Sequence, residues 1–267
     1  VALVCSLDRP DRKFLPVAFA AAAARELGAA GAGLVAPYLA YMRQDASFRP
    51  GEAVTSRSFG RLLSSAFDWL ITVDPHLHRI PELDRIFHIP ARRVTSSKKI
   101  AEWIALNVPD AIVLGPDSES QQWVSEVARL ARSPYEVLHK SRSGDRTVDI
   151  SVPESGAFLN RTPVIIDDIA SSGRTIVAAI ARLREIGARP PVCIIIPAVF
   201  AGRAFTDIQK AGAARIVTTN SIPHESNAIN LSPCIGRAIS NLRKVLDLPS
   251  AGTLQGGSNG TESGQET

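Results

Sequence analysis

The chain has 267 residues, of which 45% are apolar, 21% charged and 6% aromatic. That balance excludes a wholly disordered chain, and the length suffices for one large folded unit or two smaller ones. Lys and Arg number 30 against 26 Asp and Glu, a net charge of +4, which is too mild and too dispersed to point to nucleic acid by itself.

Short apolar runs rich in Val and Ile alternate with amphipathic segments. Val1–Leu7 predicts a strand; because the chain opens on Val inside an apolar run, a segment upstream is expected. Val17–Leu27 predicts a helix whose Ala18–Ala24 run stops at Arg25 and Glu26, far short of the ~20 apolar residues of a membrane span. Gly33–Pro37 and Trp69–Val73 read as strands around a helix over Val54–Phe67. The stretch Ile80–Thr95, with Pro81, Pro90 and the pair Arg92-Arg93, has no clear period and predicts a link between two units, residues 1–93 and 94–249.

Beyond it, Ser97–Leu106 and Gln121–Ala131 predict helices around a strand at Ala111–Leu114, and Tyr135–Leu138 predicts another strand. Thr147–Val152, after Ser143-Gly144-Asp145, reads as part of a hairpin or flap attached to the second unit. Strands at Pro163–Ile166, Val192–Pro197 and Arg215–Thr218 alternate with helices at Thr175–Ile186 and Arg203–Ala211. A last helix, Pro233–Leu246, precedes a Gly/Ser/Thr-rich tail, Ser250–Thr267, expected to be disordered. Fully apolar strands separated by helices imply mainly parallel sheets covered on both faces, an α/β fold. Three scattered cysteines, Cys5, Cys193 and Cys234, make neither a disulfide framework nor a CxxC zinc site and suit the cytoplasm.

Three predicted strands end on acids: Asp74, Asp117 and the pair Asp167-Asp168. Open α/β sheets bind ligands beyond the carboxyl ends of their strands, and carboxylates there suit hydrated Mg²⁺, which often bridges protein and phosphate. One such Asp alone reads as a turn or helix cap; the three together point to a site. The sharpest motif is Val164-Ile-Ile-Asp-Asp-Ile-Ala-Ser-Ser-Gly-Arg-Thr175. An apolar strand runs into two acids, then hydroxyl residues and Gly, then a helix, so exposed backbone N–H groups can cradle a phosphate. Neither the Walker spacing nor G-x-G-x-x-G is present.

Two acids before a small-residue turn resemble the phosphoribosyl-diphosphate-binding motif of the phosphoribosyltransferase-like fold. Further segments resemble the ribose-phosphate pyrophosphokinases, or phosphoribosyl diphosphate synthetases. Pro37-Tyr38-Leu-Ala-Tyr41-Met-Arg43-Gln44-Asp45 is similar to their P-Y-x-x-Y-x-R-Q-D signature. Asp74-Pro75-His76 resembles their Asp-Leu-His, Gly115-Pro116-Asp117 their Ser-Pro-Asp, Lys140-Ser141-Arg142 their Lys-x-Arg, and Thr219-Asn-Ser-Ile-Pro223 their Thr-Asn-Thr-Ile-Pro.

The resemblance implies two phosphoribosyltransferase-like domains with a site between them, and transfer of the diphosphoryl group of ATP to the anomeric hydroxyl of ribose 5-phosphate. It implies that Arg43, Gln44 and His76 bind ATP and that His76 and Asp117 hold Mg²⁺. Lys140 and Arg142 on the flap are implied to be catalytic. Asp167, Asp168, Ser171, Ser172, Gly173, Arg174 and Thr175 are implied to bind ribose 5-phosphate. A homo-oligomer, dimer or higher, is also implied, with no nucleic acid or membrane partner.

The chain departs from that family in four places. An F-x-D-G-E-type segment is absent, and Ser118-Glu119-Ser120-Gln121 follows Asp117 where small residues are usual. Ser171 and Arg174 replace the usual Asp and Gly, and Ala46-Ser47 stands in a region normally rich in Lys and Arg. Two other readings follow from the residues. One is a non-catalytic regulatory homologue that binds nucleotide or a partner synthetase. The other is a phosphoribosyltransferase acting on a base, which leaves Tyr41–Asp45 and Lys140/Arg142 unexplained.

Overall fold

The computed structural model describes residues 1–47, 49–77, 82–117, 120–143, 147–151, 158 and 160–246, with only the backbone at 139–143 and 147–151. The first sheet is built from β1 (Ala2–Val4), β2 (Gly33–Ala36), β3 (Leu70–Val73) and β4 (Ala91–Val94), parallel and in that spatial order. Helix α1 (Pro10–Glu26) joins β1 to β2, and α2 (Thr55–Ala66) joins β2 to β3. Proline at the first position of α1 suits a helix start, where the missing N–H has no partner to lose. The helix therefore begins seven residues before the predicted Val17 and carries Pro16 inside it; an interior proline reads in sequence as a break.

The second sheet has six parallel strands in the order β12-β11-β10-β9-β5-β6. In chain order, α3 (Ser97–Asn107), β5 (Ala111–Gly115), α4 (Gln121–Ala131) and β6 (Tyr135–Val137) come first. An antiparallel hairpin follows, β7 (His139–Ser143) with β8 (Thr147–Ser151). Then come β9 (Thr162–Asp167), α5 (Arg174–Glu185), β10 (Val192–Ile195), α6 (Ala204–Ala211), β11 (Arg215–Thr219), β12 (Asn227–Ile229) and α7 (Ser232–Val245).

Three strands escape the sequence reading: β7, which pairs with β8 to complete the expected hairpin, and β4 and β12, which lie at sheet edges. β4 lies at the sheet edge and exposes Arg92 and Arg93; edge strands carry charge, so no apolar run marks it. It occupies the stretch read as an irregular link, and the divide between residues 93 and 94 falls inside it, just before its last residue Val94. β12 is three residues long and also forms an edge. The tail at 250–267 and the flap tip at 144–146 lie outside the described residues.

Alternate residues of each strand serve different cores, as the period of two requires. In the first sheet Leu34, Ala36 and Leu70 pack with residues of α1 and α2, among them Val17, Ala21, Phe59 and Leu63. In the second, Ile165, Cys193 and Ile195 pack with Ile176, Ile180 and Ile208 of α5 and α6. The remaining faces share one cluster. Val35, Ile71 and Val73 of the first sheet join Val164, Ile166, Ile194 and Val217 of the second through Ile100, Ile104, Val124, Val127 and Leu242 of α3, α4 and α7. The result is helices, sheet, helices, sheet, helices, with the middle helical layer buried against both sheets. Close approach fixes one residue choice: a Cβ on Gly33 would lie 1.9 Å from the Trp69 ring. Among the described residues no helix is long and apolar enough to cross a membrane.

Candidate active site

The parallel strands deliver their carboxyl ends, and the residues just beyond them, to one cleft. From β3 the chain passes through Asp74 and Pro75 to His76; from β5 it passes to Asp117; β9 ends on Asp167 and is followed by Asp168. From β2 it turns through Tyr38 and Tyr41 to Arg43, with Tyr41 at φ +67. A central chamber of about 230 Å³ is lined by Arg43, His76, Asp117, Ser120, Trp123, Asp167, Asp168, Ile169, Ala170, Ser171, Ser172 and Thr175. His76 and Arg43 come from the first sheet and the rest from the second, and His76 Nδ1 donates a hydrogen bond to Asp168 Oδ2 across the cleft.

Two side chambers adjoin it. One of about 360 Å³ shares His76, Trp123 and Asp168 with the centre and is otherwise bounded by residues such as Asp74, Arg93, Ser97, Gln122 and Glu126. The other, about 120 Å³, shares Arg43, His76 and Ile169 with the centre and is otherwise walled largely by apolar groups such as Leu39, Met42 and Ile196, together with Tyr38 and Ser221. Ser6 Oγ donates to the Ser221 carbonyl, a further tie between the two halves.

The paired acids have opposite electrostatic settings. Burial, reinforced by the charges of Asp168 and Asp117 and by a hydrogen bond to Asp168, pushes the Asp167 carboxyl up to about 8. Burial also works against the charged form of Asp168. The hydrogen bond and charge of His76, the hydrogen bond from Asp167 and the Arg43 guanidinium outweigh it and hold that carboxyl below the usual range. Asp167 is thus a proton donor to an ionised Asp168 at neutral pH, and Asp168, which can only accept, takes its second hydrogen bond from the His76 Nδ1–H.

The turn after β9 has the backbone of a phosphate cradle. Ser171 lies at φ +48 and Gly173 at φ +71. The Gly173 N–H donates to Ala170 O at 2.8 Å, and the Ser171 carbonyl accepts from Ala201 N–H at 2.9 Å. These bonds hold the loop against the β10–α6 connection and start α5 at Arg174, whose first-turn N–H groups lack partners within the helix. Burial of the glycine matters too: a Cβ there would stand 3.3 Å from Ala204 Cβ and from Ile208.

Of the residues singled out in the sequence, Arg43, His76, Asp117, Asp167, Asp168, Ser171, Ser172 and Thr175 line the central chamber. Gln44 is set aside from it, accepting a hydrogen bond from Thr55 Oγ1 at 2.8 Å through Oε1 and from Ser56 N–H at 3.2 Å through its carbonyl. Gly173 is buried beneath the loop and Arg174 is exposed; neither borders the chambers. Lys140 and Arg142 sit on β7, but their side chains lie outside the described residues, as do His78 and Ser118-Glu119. Trp123, read in sequence as packing, walls two chambers; its place on the first turn after Asp117 was the available signal. Tyr38, whose hydroxyl is pushed up by burial despite the charge of Arg43, and Ser221 belonged to quoted motifs but had no assigned role.

A family profile for the phosphoribosyl transferase domain matches residues 83–232. The chain is 32% identical over 245 residues to the ribose-phosphate pyrophosphokinase of Methanopyrus kandleri, covering 91% of this chain and 83% of that one. With the ribose-phosphate pyrophosphokinase of Saccharolobus solfataricus it shares 31% identity over 227 residues, 83% of this chain and 76% of the relative. In three dimensions it is similar to the phosphoribosylpyrophosphate synthetase of Mycobacterium smegmatis, with a TM-score of 0.74 over 92% of this chain and 82% of that one. At 21% identity that likeness speaks to the fold, which is phosphoribosyltransferase-like. The motifs gathered in one cleft and the kinship along most of the chain lead to the same place: this protein belongs to the ribose-phosphate pyrophosphokinase family of enzymes.

Proposed function

We propose that the protein transfers the β,γ-diphosphoryl group of ATP to the anomeric hydroxyl of ribose 5-phosphate, giving 5-phosphoribosyl 1-diphosphate and AMP for nucleotide biosynthesis. The observation that carries this reading is the central chamber, where Arg43 and His76 from one sheet meet Asp117, Asp167, Asp168 and the Ser171–Thr175 loop from the other. A reaction between two phosphorylated substrates needs such a meeting place, because phosphoryl-type transfer is mostly positioning and charge neutralisation. The relatives' names support the same chemistry.

Each group then has a task. The Ser171–Thr175 loop and the start of α5 receive the 5-phosphate of the ribose, with Ser171, Ser172 and Thr175 offering hydroxyls beside backbone N–H groups. Asp167 and Asp168 stand at the carboxyl end of β9, where the ribose hydroxyls come to lie. Arg43 directs its cation at the nucleotide phosphates; Gln44 serves ATP indirectly, by tying the Arg43 loop to α2. The anomeric oxygen bonds to the β-phosphorus as that phosphorus loses its bond to the α,β-bridging oxygen, which leaves with AMP, and the hydroxyl proton passes to solvent. By resemblance, Lys140 and Arg142 on the hairpin clamp the transferring group. Such cationic clamps are worth ~10³-fold or more.

The donors fit Mg²⁺. No group of three or more His, Cys, Asp or Glu that could cage a metal occurs among the described residues; Mg²⁺ characteristically takes few protein ligands and keeps water and phosphate oxygens. In the neutral tautomer that donates from Nδ1 to Asp168, the His76 Nε2 is a lone-pair donor, the usual arrangement of a ligating imidazole. His76 and Asp117 would hold the ion, which supplies neutralisation of phosphate charge. We place the reaction in the cytoplasm, in keeping with three unpaired cysteines, and in a homo-oligomer of two or more copies.

The test is turnover with Mg-ATP and ribose 5-phosphate. AMP should form only when both are present, Lys140→Ala should lower kcat ~10³-fold, and Arg43→Ala should raise the KM for ATP about tenfold or more. Nucleotide binding with no AMP under any divalent metal would overturn the reading in favour of a non-catalytic homologue.

A further inference from the structure

Asp74 stands between β3 and His76 in a conformation that its surroundings impose. Its φ is +34, in the left-handed region that residues other than glycine rarely adopt. The side chain is 11% exposed, and the residue borders the two side chambers rather than the central one. Through Oδ2 it accepts the Ser96 backbone N–H at 2.8 Å and the Ser96 hydroxyl at 2.5 Å, and through Oδ1 an Arg93 guanidinium N–H at 3.4 Å. Its own N–H donates to Val94 O at 3.1 Å.

Every partner belongs to the β4–α3 junction. Ser96 is 1% exposed and its carbonyl accepts the Ile100 N–H at 2.9 Å, so the clamp is anchored to α3, a helix of the shared middle layer. The next residue, Pro75, is buried and has its φ fixed by its ring. The one after is His76, whose ring reaches across the cleft to Asp168. A carboxylate that fixes the turn two residues earlier therefore fixes where that ring can go.

We propose that Asp74 is a positioning residue. By clamping the end of β3 to the start of α3, it sets the His76 imidazole at the distance and angle from which it engages Asp168. An apolar residue at 74 would leave the positive φ uncompensated and the buried Ser96 donors unpaired, and the turn would relax away from the cleft. The consequence for turnover rests on the reading of His76 as part of the reaction centre. The consequence for the ring does not.

Two measurements keep the two apart. The first requires no turnover: the ring ¹⁵N signals of His76, assigned by their loss in His76→Ala. In Asp74→Ala they should move toward those of an imidazole lacking a carboxylate partner, and Asp74→Asn, which keeps an acceptor oxygen for Ser96, should restore them. Unchanged signals in Asp74→Ala overturn the proposal whatever the activity. The second is steady-state kinetics. Asp74→Ala should lower kcat about 10- to 100-fold, with KM for ribose 5-phosphate within about twofold, because misplacement of a reacting group costs rate while the β9–α5 loop is untouched. In a His76→Ala background the same change should cost less than about twofold; equal losses in both backgrounds would mean a merely structural role and overturn the proposal. Full activity of His76→Ala would sink the reading of His76, while the ring signals still decide the role of Asp74. If Asp74→Ala does not fold, Ser96→Ala removes one of the two Ser96 donors and is expected to shift the same signals in the same direction.

Discussion

Asp167 and Asp168 are adjacent in sequence, yet their neighbours drive them to opposite protonation states. With the Asp167 carboxyl raised to about 8, the folded protein holds a proton that the unfolded chain has lost above pH ~4. Stability from this group is full below the unfolded value and falls as pH rises through the folded one, by up to ~1.4 kcal/mol per pH unit. Asp168 has the reverse sign: its lowered value gives stability that is lost only as pH falls below the ordinary aspartate range. Chemical denaturation in the presence of a chelator should therefore show stability declining from pH 5 to 8, and Asp167→Asn should flatten that slope. A slope unaffected by the substitution would contradict the assignment. These settings lie beyond sequence reading, which places two carboxylates after a strand but cannot say which is the more buried or that a histidine 92 residues away in sequence reaches one of them.

The elements that position the site were the legible part. β2, β3, β5, β9 and β10 are rich in apolar residues because both their faces are covered, and that signal needs no partner to be read. β4 and the start of α1 were not legible: the first carries its charges on an edge and the second continues through Pro16. The motif residues fared similarly. Those next to strand ends converge, because a parallel sheet brings its carboxyl ends to one side, whereas Gln44 and Arg174 project from helix or turn positions whose direction depends on local packing. Two glycines test the positioning of these elements. Gly33→Ala places a Cβ 1.9 Å from the Trp69 ring, which predicts a loss of at least ~1–3 kcal/mol in denaturant unfolding. Gly173→Ala forces alanine to φ +71 against Ala204 and Ile208, a cost of about 1–2 kcal/mol. Because that residue shapes the loop, the KM for ribose 5-phosphate should rise more than the KM for ATP. Equal effects on both substrates would count against a loop specific to the ribose phosphate.

At the scale of the whole molecule, the notable feature is that one apolar cluster runs through α3, α4 and α7 and reaches both sheets. A cleft between two sheets that are coupled this way keeps its walls in register, which suits a reaction dependent on the relative placement of two bound substrates. The shared core predicts a single cooperative unfolding transition in calorimetry, and Ile104→Ala, at a fully buried middle-layer position, should lower it as one transition by about 2–4 kcal/mol. Two separated transitions, with only one moved by Ile104→Ala, would show that the sheets are energetically independent.

In the proposed reaction both outer phosphorus atoms of ATP leave together for the anomeric oxygen. Phosphorus-31 NMR of the protein incubated with Mg-ATP and ribose 5-phosphate follows each atom directly. AMP and a diphosphate ester of ribose 5-phosphate should appear one for one, with the β- and γ-phosphorus signals of ATP moving jointly into the ester. Release of ADP with a single phosphoryl group on the sugar, or ATP left intact beside ribose 5-phosphate, would contradict it.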